Sequence, residues 1–592
     1  MNRDEIDEKY KWDLTKIYPS LDEFDKDILK VKSGIDEIVK YKAVSLNAFN
    51  LYELLNLCMD TSRCLEKLEV YASLLCDQDT SVNKNLELKE KVSSLNDIMV
   101  SSTSFVDTNI LALDYSEIEK FYLENDKLKE YQIYLKNMFR YKKYTLSSEC
   151  EKLLADMNKG LFNDYDTYEL LKDSDMQFPS FFVNDKEYKL DNSLYSLYIE
   201  NDDRLVRKNA FNTLYNTYKS FKNVFANLII SNIKQEVMLS KIRGYDSALS
   251  KSMYNDEAEI GVYNNLVDTI NDNLSVLHRY YALKKKVLGL DQLHLYDVYA
   301  NMVSDSSFKY PYEEAKEVVI NALSVLGEDY IKTLKEGIEN RWIDLYPNKG
   351  KRTGGYSSGA YDTEPYILLN YQDKYDDMST LAHELGHSMH SYYTRQNNSY
   401  QYGYYSIMVA EVASTVNELL LAKYVIKNSK SREEKLFILN RLLELFRATV
   451  YRQTMFSTFE KTMYEYIEES KPLTADILSD LYYDLNIKYF GPDTIVDDEI
   501  RYEWERIPHF YYNYYVYKYA TGLSSACCIV NGLLSGTLKV EDYINFLKCG
   551  KSKSPLDSLK IASVDLTDKN VILEAVKMFD DTISEFEKIY YE

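Results

Sequence analysis

The chain has 592 residues, of which only 18 are glycine and 9 are proline, and its formal net charge at pH 7 is −23. Soluble proteins carry about 12% glycine plus proline on average, so this composition excludes collagen-like chains and turn-dense all-β folds and favours a large helical core. The acidic balance argues against a non-specific nucleic-acid binder, because phosphate backbones require a positive surface.

Amphipathic helices are predicted over the N-terminal part of the chain. From about Leu21 to Leu153, apolar residues recur at i, i+3, i+4 and i+7 among charged ones. A short hairpin is predicted at residues 184–186, because MQFPSFFVNDKEYKL places aromatic and β-branched residues on both sides of Asn-Asp-Lys. We therefore predict two domains, a helical lobe over 1–190 that ends in this hairpin and a helical domain over 191–592.

The second predicted domain contains helical and non-helical stretches. Helix is predicted from Asp191 to Leu249, and HLYDVYANMVS, residues 294–304, predicts a second short strand region. Residues 346–375 are the least helical, because glycines and a proline interrupt them, and PYILLNY (365–371) is predicted to form a strand. Helix returns beyond Asp376, with Asp376 or Asp377 as the predicted N-cap.

The string AHELGH carries the chemistry. His383 and His387 are four residues apart, about 40° around a helix and roughly 6 Å along it, so both imidazoles can reach one ion. This is the HExxH arrangement of zinc peptidases, in which Glu384 would act as general base on the zinc-bound water. With 6 histidines and 94 acidic residues, chance would produce roughly 0.01 such strings. We therefore predict a zinc site in the 191–592 domain.

A catalytic zinc requires a third protein ligand and an open position. The metzincin spacing is absent, and His390 would lie about 10.5 Å along the helix from His383, so we predict that His390 packs in the core. A carboxylate on the following helix is then expected, and Glu411 and Glu418 are the candidates. Glu411 is favoured because an unpaired carboxylate in its apolar stretch would be costly, whereas for Glu418 the alternative is a surface position.

The motifs together resemble the oligoendopeptidase F branch of the thimet oligopeptidase (M3) family of zinc peptidases. The resemblance rests on AHELGHSMHSYY, AEVASTVNE, GAYDTEPYILLNY, RIPHFYYNYYVYKYATG and, near the start, KYKWDLTKIYPS, so it extends over nearly the whole chain. It implies that His383, His387 and Glu411 bind one zinc ion and that Glu384 is the base. It also implies a mainly α, two-lobed fold that encloses a deep channel, with a small β-sheet next to the zinc helix.

The resemblance also implies a histidine and tyrosines over the reaction centre. The matching positions are His509, Tyr514 and Tyr517, although the spacing between histidine and tyrosines is shorter here than in thimet-like members. A neutral O–H or N–H donor at this place would stabilise the oxyanion formed during attack on an amide. The choice of tyrosine stays open among five candidates: Tyr511, Tyr512, Tyr514, Tyr515 and Tyr517.

The function implied is hydrolysis of internal peptide bonds in short unfolded oligopeptides. PYILLNY is further predicted to present an exposed strand edge that pairs with an extended peptide backbone. Two alternatives stay open. A related helical dipeptidyl carboxypeptidase or carboxypeptidase would capture the terminal carboxylate of its substrate with a cationic group, and a non-catalytic binding protein would retain peptides uncut.

A cytoplasmic location is predicted. The first residues are charged throughout, no stretch approaches ~18 uninterrupted apolar residues, and the seven cysteines contain no CxxC pair. Cysteines of this kind in a large chain predict buried thiols in a reducing compartment. The implied function makes short peptides the expected partners. The acidic charge and the lack of long apolar stretches predict that the chain binds neither nucleic acid nor a membrane.

Overall fold

The fold is described here from a computed structural model that covers residues 2–161, 163–303, 308–429 and 431–592. Helices dominate these residues, which confirms the predicted mainly α class. The α-helices in chain order are α1 (Leu21–Val39), α2 (Ala48–Gln78), α3 (Asn83–Thr103), α4 (Phe105–Leu111), α5 (Tyr115–Glu124), α6 (Gln132–Arg140), α7 (Ser148–Leu161), α8 (Asp164–Leu170), α9 (Asn192–Ile199), α10 (Arg204–Lys219), α11 (Lys222–Arg243), α12 (Ala248–Asn255), α13 (Ile260–Asp272), α14 (Leu274–Val287), α15 (Tyr312–Ala322), α16 (Glu328–Glu339), α17 (Tyr375–Asn397), α18 (Ile407–Asn428), α19 (Arg432–Phe446), α20 (Arg452–Glu468), α21 (Ala475–Phe490), α22 (Tyr517–Ser535), α23 (Val540–Lys548), α24 (Pro555–Ile561) and α25 (Lys569–Tyr591).

The strands are short and form small separate sheets. They are β1 (Phe181–Val183), β2 (Lys186–Tyr188), β3 (Leu293–His294), β4 (Ile343–Asp344), β5 (Tyr356–Ser358), β6 (Tyr366–Leu368) and β7 (Thr494–Ile495). β1 and β2 form the predicted antiparallel hairpin, with Asn184 and Asp185 at φ values of 51° and 61° in its turn. Such left-handed pairs suit the twist of a two-residue hairpin turn, for which Asn and Asp are favoured.

The chain folds into two compact units, each built from three segments. The first unit contains Met1–Lys143, Phe308–Leu421 and Ile529–Ser563, and the second contains Tyr144–Ser307, Ala422–Cys528 and Val564–Glu592. The sequence predicted one division at residue 190, and that division into 1–190 and 191–592 stays a prediction. The compact units follow packing between distant segments, which hydrophobic periodicity does not report.

The core of the first unit joins the N-terminal helices to a strand far along the chain. Phe24 and Val31 of α1 and Leu68 of α2 are fully buried in one cluster that also includes Tyr366 and Leu368 of β6. Each fully buried side chain of this size contributes about 1.5–3 kcal/mol. The N-terminal helices therefore support the sheet that accompanies α17.

This sheet has the order β4-β6-β5, with β4 parallel and β5 antiparallel to β6. It lies beside α17, where the hydroxyls of Ser357 and Ser388 are 2.8 Å apart. PYILLNY does form a strand, but the prediction that it is an exposed edge is wrong, because β4 and β5 pair with both of its sides and bury it. Among the described residues, no strand pairs with the outer side of β5.

The second predicted strand region is shorter than expected. Only Leu293–His294 forms a strand, which pairs in parallel with β7. Residues 295–297 turn instead, because the buried Asp297 carboxylate accepts the His294 N–H at 3.1 Å and binds Arg207 at 2.8 Å. The final residue of the predicted region, Ser304, lies outside the described residues.

α17 begins slightly earlier than its sequence predicted. Its N-cap is Lys374, not Asp376 or Asp377. The Asp377 carboxylate instead reaches back from the first turn and accepts the N–H groups of Lys374 at 3.0 Å and Gln372 at 2.8 Å. An acidic side chain at this place satisfies donors that a helix start leaves unpaired.

Two whole-chain expectations concern membranes and thiols. None of the helices in the described part of the chain combines the length and apolar composition that a bilayer-spanning helix needs. All seven cysteines are free thiols, as predicted, but the prediction that they are all buried is wrong, because Cys150 is exposed and Cys58 and Cys528 are only partly buried.

Candidate active site

The three predicted metal ligands meet in the first unit. α17 carries His383 and His387 on one face, and α18 brings Glu411 to them. The two Nε2 atoms are 3.1 Å apart, and the Glu411 Oε2 lies 3.3 Å from the His383 Nε2 and 3.6 Å from the His387 Nε2. This is a group of side chains that could hold a metal ion.

The separations of these atoms test whether zinc fits. Zinc bonds of about 2.0–2.1 Å in tetrahedral geometry place neighbouring ligand atoms about 3.3–3.4 Å apart. The observed distances of 3.1, 3.3 and 3.6 Å fall around this value. Two imidazoles and one carboxylate are also a donor set that catalytic zinc sites use, with the fourth position left for water or substrate.

Glu418 orients the first histidine. Its Oε2 lies 3.1 Å from the His383 Nδ1, and its Oε1 accepts a hydrogen bond from the Ser379 hydroxyl at 3.2 Å. A carboxylate on Nδ1 selects the tautomer whose Nε2 lone pair is free for a metal. The alternative of a surface position is therefore wrong, since only 20% of the Glu418 side chain is exposed. The seven-residue spacing from Glu411, two turns on one helix face, is the sequence signal that could have identified this role.

α17 and α18 approach each other closely at Gly386. A Cβ atom added there would lie 2.5 Å from the Ser414 Cα and 2.7 Å from the Ala413 carbonyl oxygen. The contact is reinforced by the Asn417 side chain, which donates to the Ala382 carbonyl at 3.0 Å. The absence of a side chain at Gly386 thus allows the helix that carries Glu411 to reach the two histidines.

The electrostatics of the group favour a cation. Burial lowers the pKa of His383, but its hydrogen bonds to Glu411 and Glu418 outweigh this effect and raise the pKa to about 10. Burial raises the pKa of Glu411, but the hydrogen bonds and charges of His383 and His387 have a larger, opposite effect. The pKa of Glu411 is therefore well below its ordinary range. Positive charge at this place is therefore stabilised by two carboxylates.

Glu384 lies next to the histidines and is 6% exposed. Burial raises its pKa, while His383 and His387 act in the opposite direction. A carboxylate whose pKa is raised holds a proton more strongly, which suits it to general-base catalysis.

His390 packs in the core, as the sequence predicted. It is 1% exposed, its ring stacks on Tyr405 at 3.7 Å between centroids, and burial lowers its pKa to about 3. It is therefore a neutral packing residue.

The other three predicted site residues belong to the second unit. His509 lies in the 3-10 helix Pro508–Tyr511, and burial lowers its pKa, so its ring is neutral at pH 7. Tyr514 is 1% exposed, and its ring lies 4.6 Å from that of Tyr464. Tyr517 is fully buried and donates its hydroxyl to Asp256 at 2.7 Å. Their roles at a reaction centre stay predictions.

A strained turn connects His509 to α22. Asn513 and Tyr514 adopt left-handed φ values of 51° and 58°, which are costly for residues other than glycine. Two carboxylates stabilise the turn: Glu236 accepts from the Asn513 side chain at 2.8 Å, and the buried Glu460 accepts the Tyr514 N–H at 2.6 Å. Sequence reasoning missed both carboxylates, since no local pattern connects them to this turn.

The tyrosines whose rings contact His509 differ from Tyr514 and Tyr517, the two that the family resemblance implied. The His509 ring lies 5.6 Å from the ring of Tyr512, 6.2 Å from Tyr515 and 6.1 Å from Tyr519. The Tyr512 hydroxyl is 2.6 Å from that of Tyr165. Tyr515 is partly exposed, and within the described residues its hydroxyl has no hydrogen-bond partner. Exposure alone does not choose among the five candidates, because Tyr512 is 42% exposed and Tyr511 is partly exposed like Tyr515. Among the described residues, Tyr515 is the candidate that combines a ring next to that of His509 with a hydroxyl that has no hydrogen-bond partner.

Comparison with known proteins identifies the family of the chain. A profile of peptidase family M3 matches residues 197–578, and a profile described as oligopeptidase F matches residues 109–178. The chain belongs to peptidase family M3. It is thus a peptidase, as its motifs predicted.

Relatives of this M3 peptidase extend over nearly its full length. Oligopeptidase PepF of Bacillus subtilis (strain 168) is 42% identical over 591 residues, which are 99% of this chain and 88% of the relative. A solved structure of a Chlamydophila abortus protein is 34% identical with a TM-score of 0.91 and covers 99% of both chains. The crystal structure of oligoendopeptidase-F from Enterococcus faecium is 33% identical with a TM-score of 0.75 and covers 96% of this chain and 99% of that one.

Proposed function

We propose that this M3 peptidase is a zinc-dependent endopeptidase that hydrolyses internal bonds of short unfolded oligopeptides. The observation that carries the proposal is the meeting of His383, His387 and Glu411 within zinc-ligand distances, with Glu384 beside them. The names of relatives, such as oligopeptidase PepF and oligoendopeptidase-F, support oligopeptides as the substrate class.

His383, His387 and Glu411 would hold one zinc ion per chain. When bound, zinc supplies a Lewis acid that polarises the scissile carbonyl and lowers the pKa of water. Glu418 acts through His383, whose ring it orients by the 3.1 Å contact with Nδ1.

Glu384 moves the proton. Its carboxylate accepts a proton from the attacking water and passes it to the nitrogen of the leaving amine, so one carboxylate serves both halves of the hydrolysis. Burial of Glu384 raises its pKa, which strengthens it as a base at neutral pH.

His509 and one tyrosine of the 511–517 segment are proposed to donate hydrogen bonds to the oxyanion. The family resemblance points to His509, Tyr514 and Tyr517. A hydroxyl without a partner among the described residues and a ring 6.2 Å from that of His509 support Tyr515 as the donor. A neutral imidazole N–H and a phenol O–H are suitable donors, because each can donate a hydrogen bond to the oxyanion without changing its own charge.

The outer side of β5 is proposed to bind the peptide backbone. It lies beside α17 through the contact of Ser357 with Ser388, and a sheet edge pairs with an extended peptide without reading particular side chains. This moves the edge predicted for PYILLNY to the neighbouring strand.

A cytoplasmic location and the absence of nucleic-acid or membrane partners complete the proposal. Free thiols at all seven cysteines support a reducing compartment. The net charge of −23 argues against binding to phosphate backbones.

Mass spectrometry of cleavage products tests the proposal. A mixture of short peptides and one folded protein is digested by the chain, by the chain treated with a chelator and then with zinc, and by Glu384→Gln. We expect internal cuts in the peptides alone, abolished by chelation, restored by zinc and reduced at least 100-fold in Glu384→Gln. Cuts confined to one terminus would favour the exopeptidase, and retention of uncut peptide would favour a binding protein.

A further inference from the structure

Arg506 is a partly exposed cation without an anionic partner. It closes the 3-10 helix Asp498–Arg506, and its guanidinium carbon lies 4.9 Å from the centre of the Tyr195 ring. Among the described residues, it takes part in no hydrogen bond or ion pair. A guanidinium carries five N–H donors, and none of the Arg506 nitrogens is among the buried unpartnered atoms, so a ligand can reach them as water does. An anionic group of a ligand could therefore bind these donors in place of water.

Glu503, a carboxylate that acts electrostatically on Arg506, is already occupied. Its Oε1 accepts from Arg452 at 2.8 Å and from the Tyr215 hydroxyl at 3.0 Å, and its Oε2 accepts from the Tyr482 hydroxyl at 2.6 Å. Glu503 is 2% exposed, so it cannot turn towards another partner without breaking buried bonds. Arg452 and Arg506 therefore carry two positive charges beside one carboxylate.

The next ion cluster supplies no spare negative charge. Lys284 and Arg447 both bind the Glu444 carboxylate, each with an N–O distance of 2.7 Å. Glu505, the chain neighbour of Arg506, is 1% exposed with both oxygens unpartnered, and burial raises its pKa to about 9, so it is uncharged at pH 7. Glu505 therefore supplies no negative charge next to Arg506 at neutral pH.

We propose that Arg506 binds a carboxylate of the peptide ligand. The inference rests on the proposed function, which makes peptides the ligands. Peptides offer carboxylates at the C-terminus and on Asp and Glu side chains, and a guanidinium can bind either with paired charge-assisted hydrogen bonds. Because the net charge of −23 repels anionic peptides, retention of such peptides requires a local cationic site.

Calorimetric titration of peptides into the full-length, zinc-loaded Glu384→Gln protein tests this site without cleavage. Two pairs of peptides are compared. The first pair is one neutral sequence with a free C-terminal carboxylate or with a C-terminal amide. The second pair is the C-terminal amide with either Asp or Asn at one internal position. We expect one of the acidic forms to bind about tenfold more tightly than its neutral counterpart, as for one hydrogen bond to a charged group. The pair that shows this ratio identifies the C-terminus or the side chain as the source of the carboxylate.

Variants of Arg506 then test whether this residue causes the ratio of affinities between acidic and neutral peptides. Arg506→Gln is expected to remove the preference, and Arg506→Lys to keep part of it. Arg506→Met, which keeps an apolar stem over Tyr195, serves as a second neutral variant if the Gln variant unfolds. The matched control is Arg501→Gln in the same helix, because Arg501 already pairs with Asp480 and Asp498 at 2.5 Å and is expected to leave the ratio unchanged.

Two results would overturn the inference. Equal binding of acidic and neutral peptides, or a preference that survives in Arg506→Gln, would show that Arg506 does not bind a carboxylate while leaving the proposed function intact. Failure of every peptide to bind any variant would remove both the inference and the proposed function.

Discussion

Two carboxylates on one face of α18 perform different tasks because they meet different nitrogens of one imidazole. Glu411 approaches the Nε2 of His383 at 3.3 Å, and Glu418 approaches its Nδ1 at 3.1 Å. Only the first position lies where the His387 Nε2 can join in binding an ion. Assignment of the third ligand therefore depends on the orientation of the His383 ring, which decides which nitrogen faces which carboxylate.

This difference predicts an order of metal affinities. Glu411→Ala is expected to abolish stoichiometric zinc binding, because it removes a ligand. Glu418→Gln is expected to weaken binding about 10–100-fold, because it removes a charge that orients His383. Metal content after dialysis against a zinc buffer measures both effects, and a larger loss in Glu418→Gln would reverse the two assignments.

Glu505 predicts a pH dependence of stability. In the folded chain its pKa is about 9 because it is buried without a partner, whereas its ordinary value is 4.5. The folded state therefore keeps a proton that the unfolded state releases above pH 4.5. The stabilisation is complete below that pH and is lost as pH rises through about 9, at up to about 1.4 kcal/mol per pH unit.

Glu505→Gln is accordingly expected to raise the free energy of unfolding at pH 8 and to leave it nearly unchanged at pH 4. Denaturant titrations at the two pH values measure the difference. Glu585→Gln, at an exposed position of α25, is the matched control and is expected to show no such contrast. An equal effect of Glu505→Gln at both pH values would contradict the proton-linked account.

At the level of elements, the metal site depends on how closely two helices approach. Gly386 in α17 faces the backbone of Ser414 in α18, and the Ser414 hydroxyl donates to the Glu411 carboxylate at 3.3 Å. Any side chain at Gly386 must push α18 outwards. Such a shift would move Glu411 away from both histidines.

Gly386→Ala is expected to lower stability by about 1–3 kcal/mol through overpacking and to weaken zinc binding at least tenfold. Gly261→Ala, near the start of α13, is the control: a Cβ there meets nothing within 4 Å, and alanine is favoured over glycine in a helix by about 0.5–1 kcal/mol. Thermal unfolding and zinc titration of both variants test this contrast. Unchanged zinc affinity in Gly386→Ala would show that the helices adjust without moving Glu411.

For the whole molecule, all three ligands belong to one compact unit, although they come from two helices and depend on N-terminal packing. Metal bound to the folded chain alone adds stability by mass action, about 2.7 kcal/mol at a free concentration 100 times Kd. Chelation is therefore expected to lower the midpoint of thermal unfolding, and zinc to restore it.

The same thermal unfolding measurement on Glu411→Ala provides the control. That variant lacks a metal ligand, so its midpoint of unfolding is expected to change with neither chelator nor zinc. A chelator-sensitive midpoint in Glu411→Ala would place the stabilising ion elsewhere in the chain.

Local patterns in the sequence were sufficient for the helical class, the hairpin at residues 184–186 and the HExxH ligands. Helical periodicity decides which residues share a face, so His383 and His387 converge whatever surrounds α17. The apolar neighbours of Glu411 likewise indicated a carboxylate that needs a partner. These features depend on residues within a few turns of one another.

Contacts between distant segments decided the remainder. The burial of β6 between β4 and β5, the hydrogen bond of Tyr517 to Asp256 and the contact of Glu418 with His383 all join separate parts of the chain. A strand period does not say which neighbours cover its edges, and a tyrosine in an aromatic run does not say which hydroxyl remains free. Only tertiary packing settles these points, because the close packing of side chains selects one set of long-range contacts.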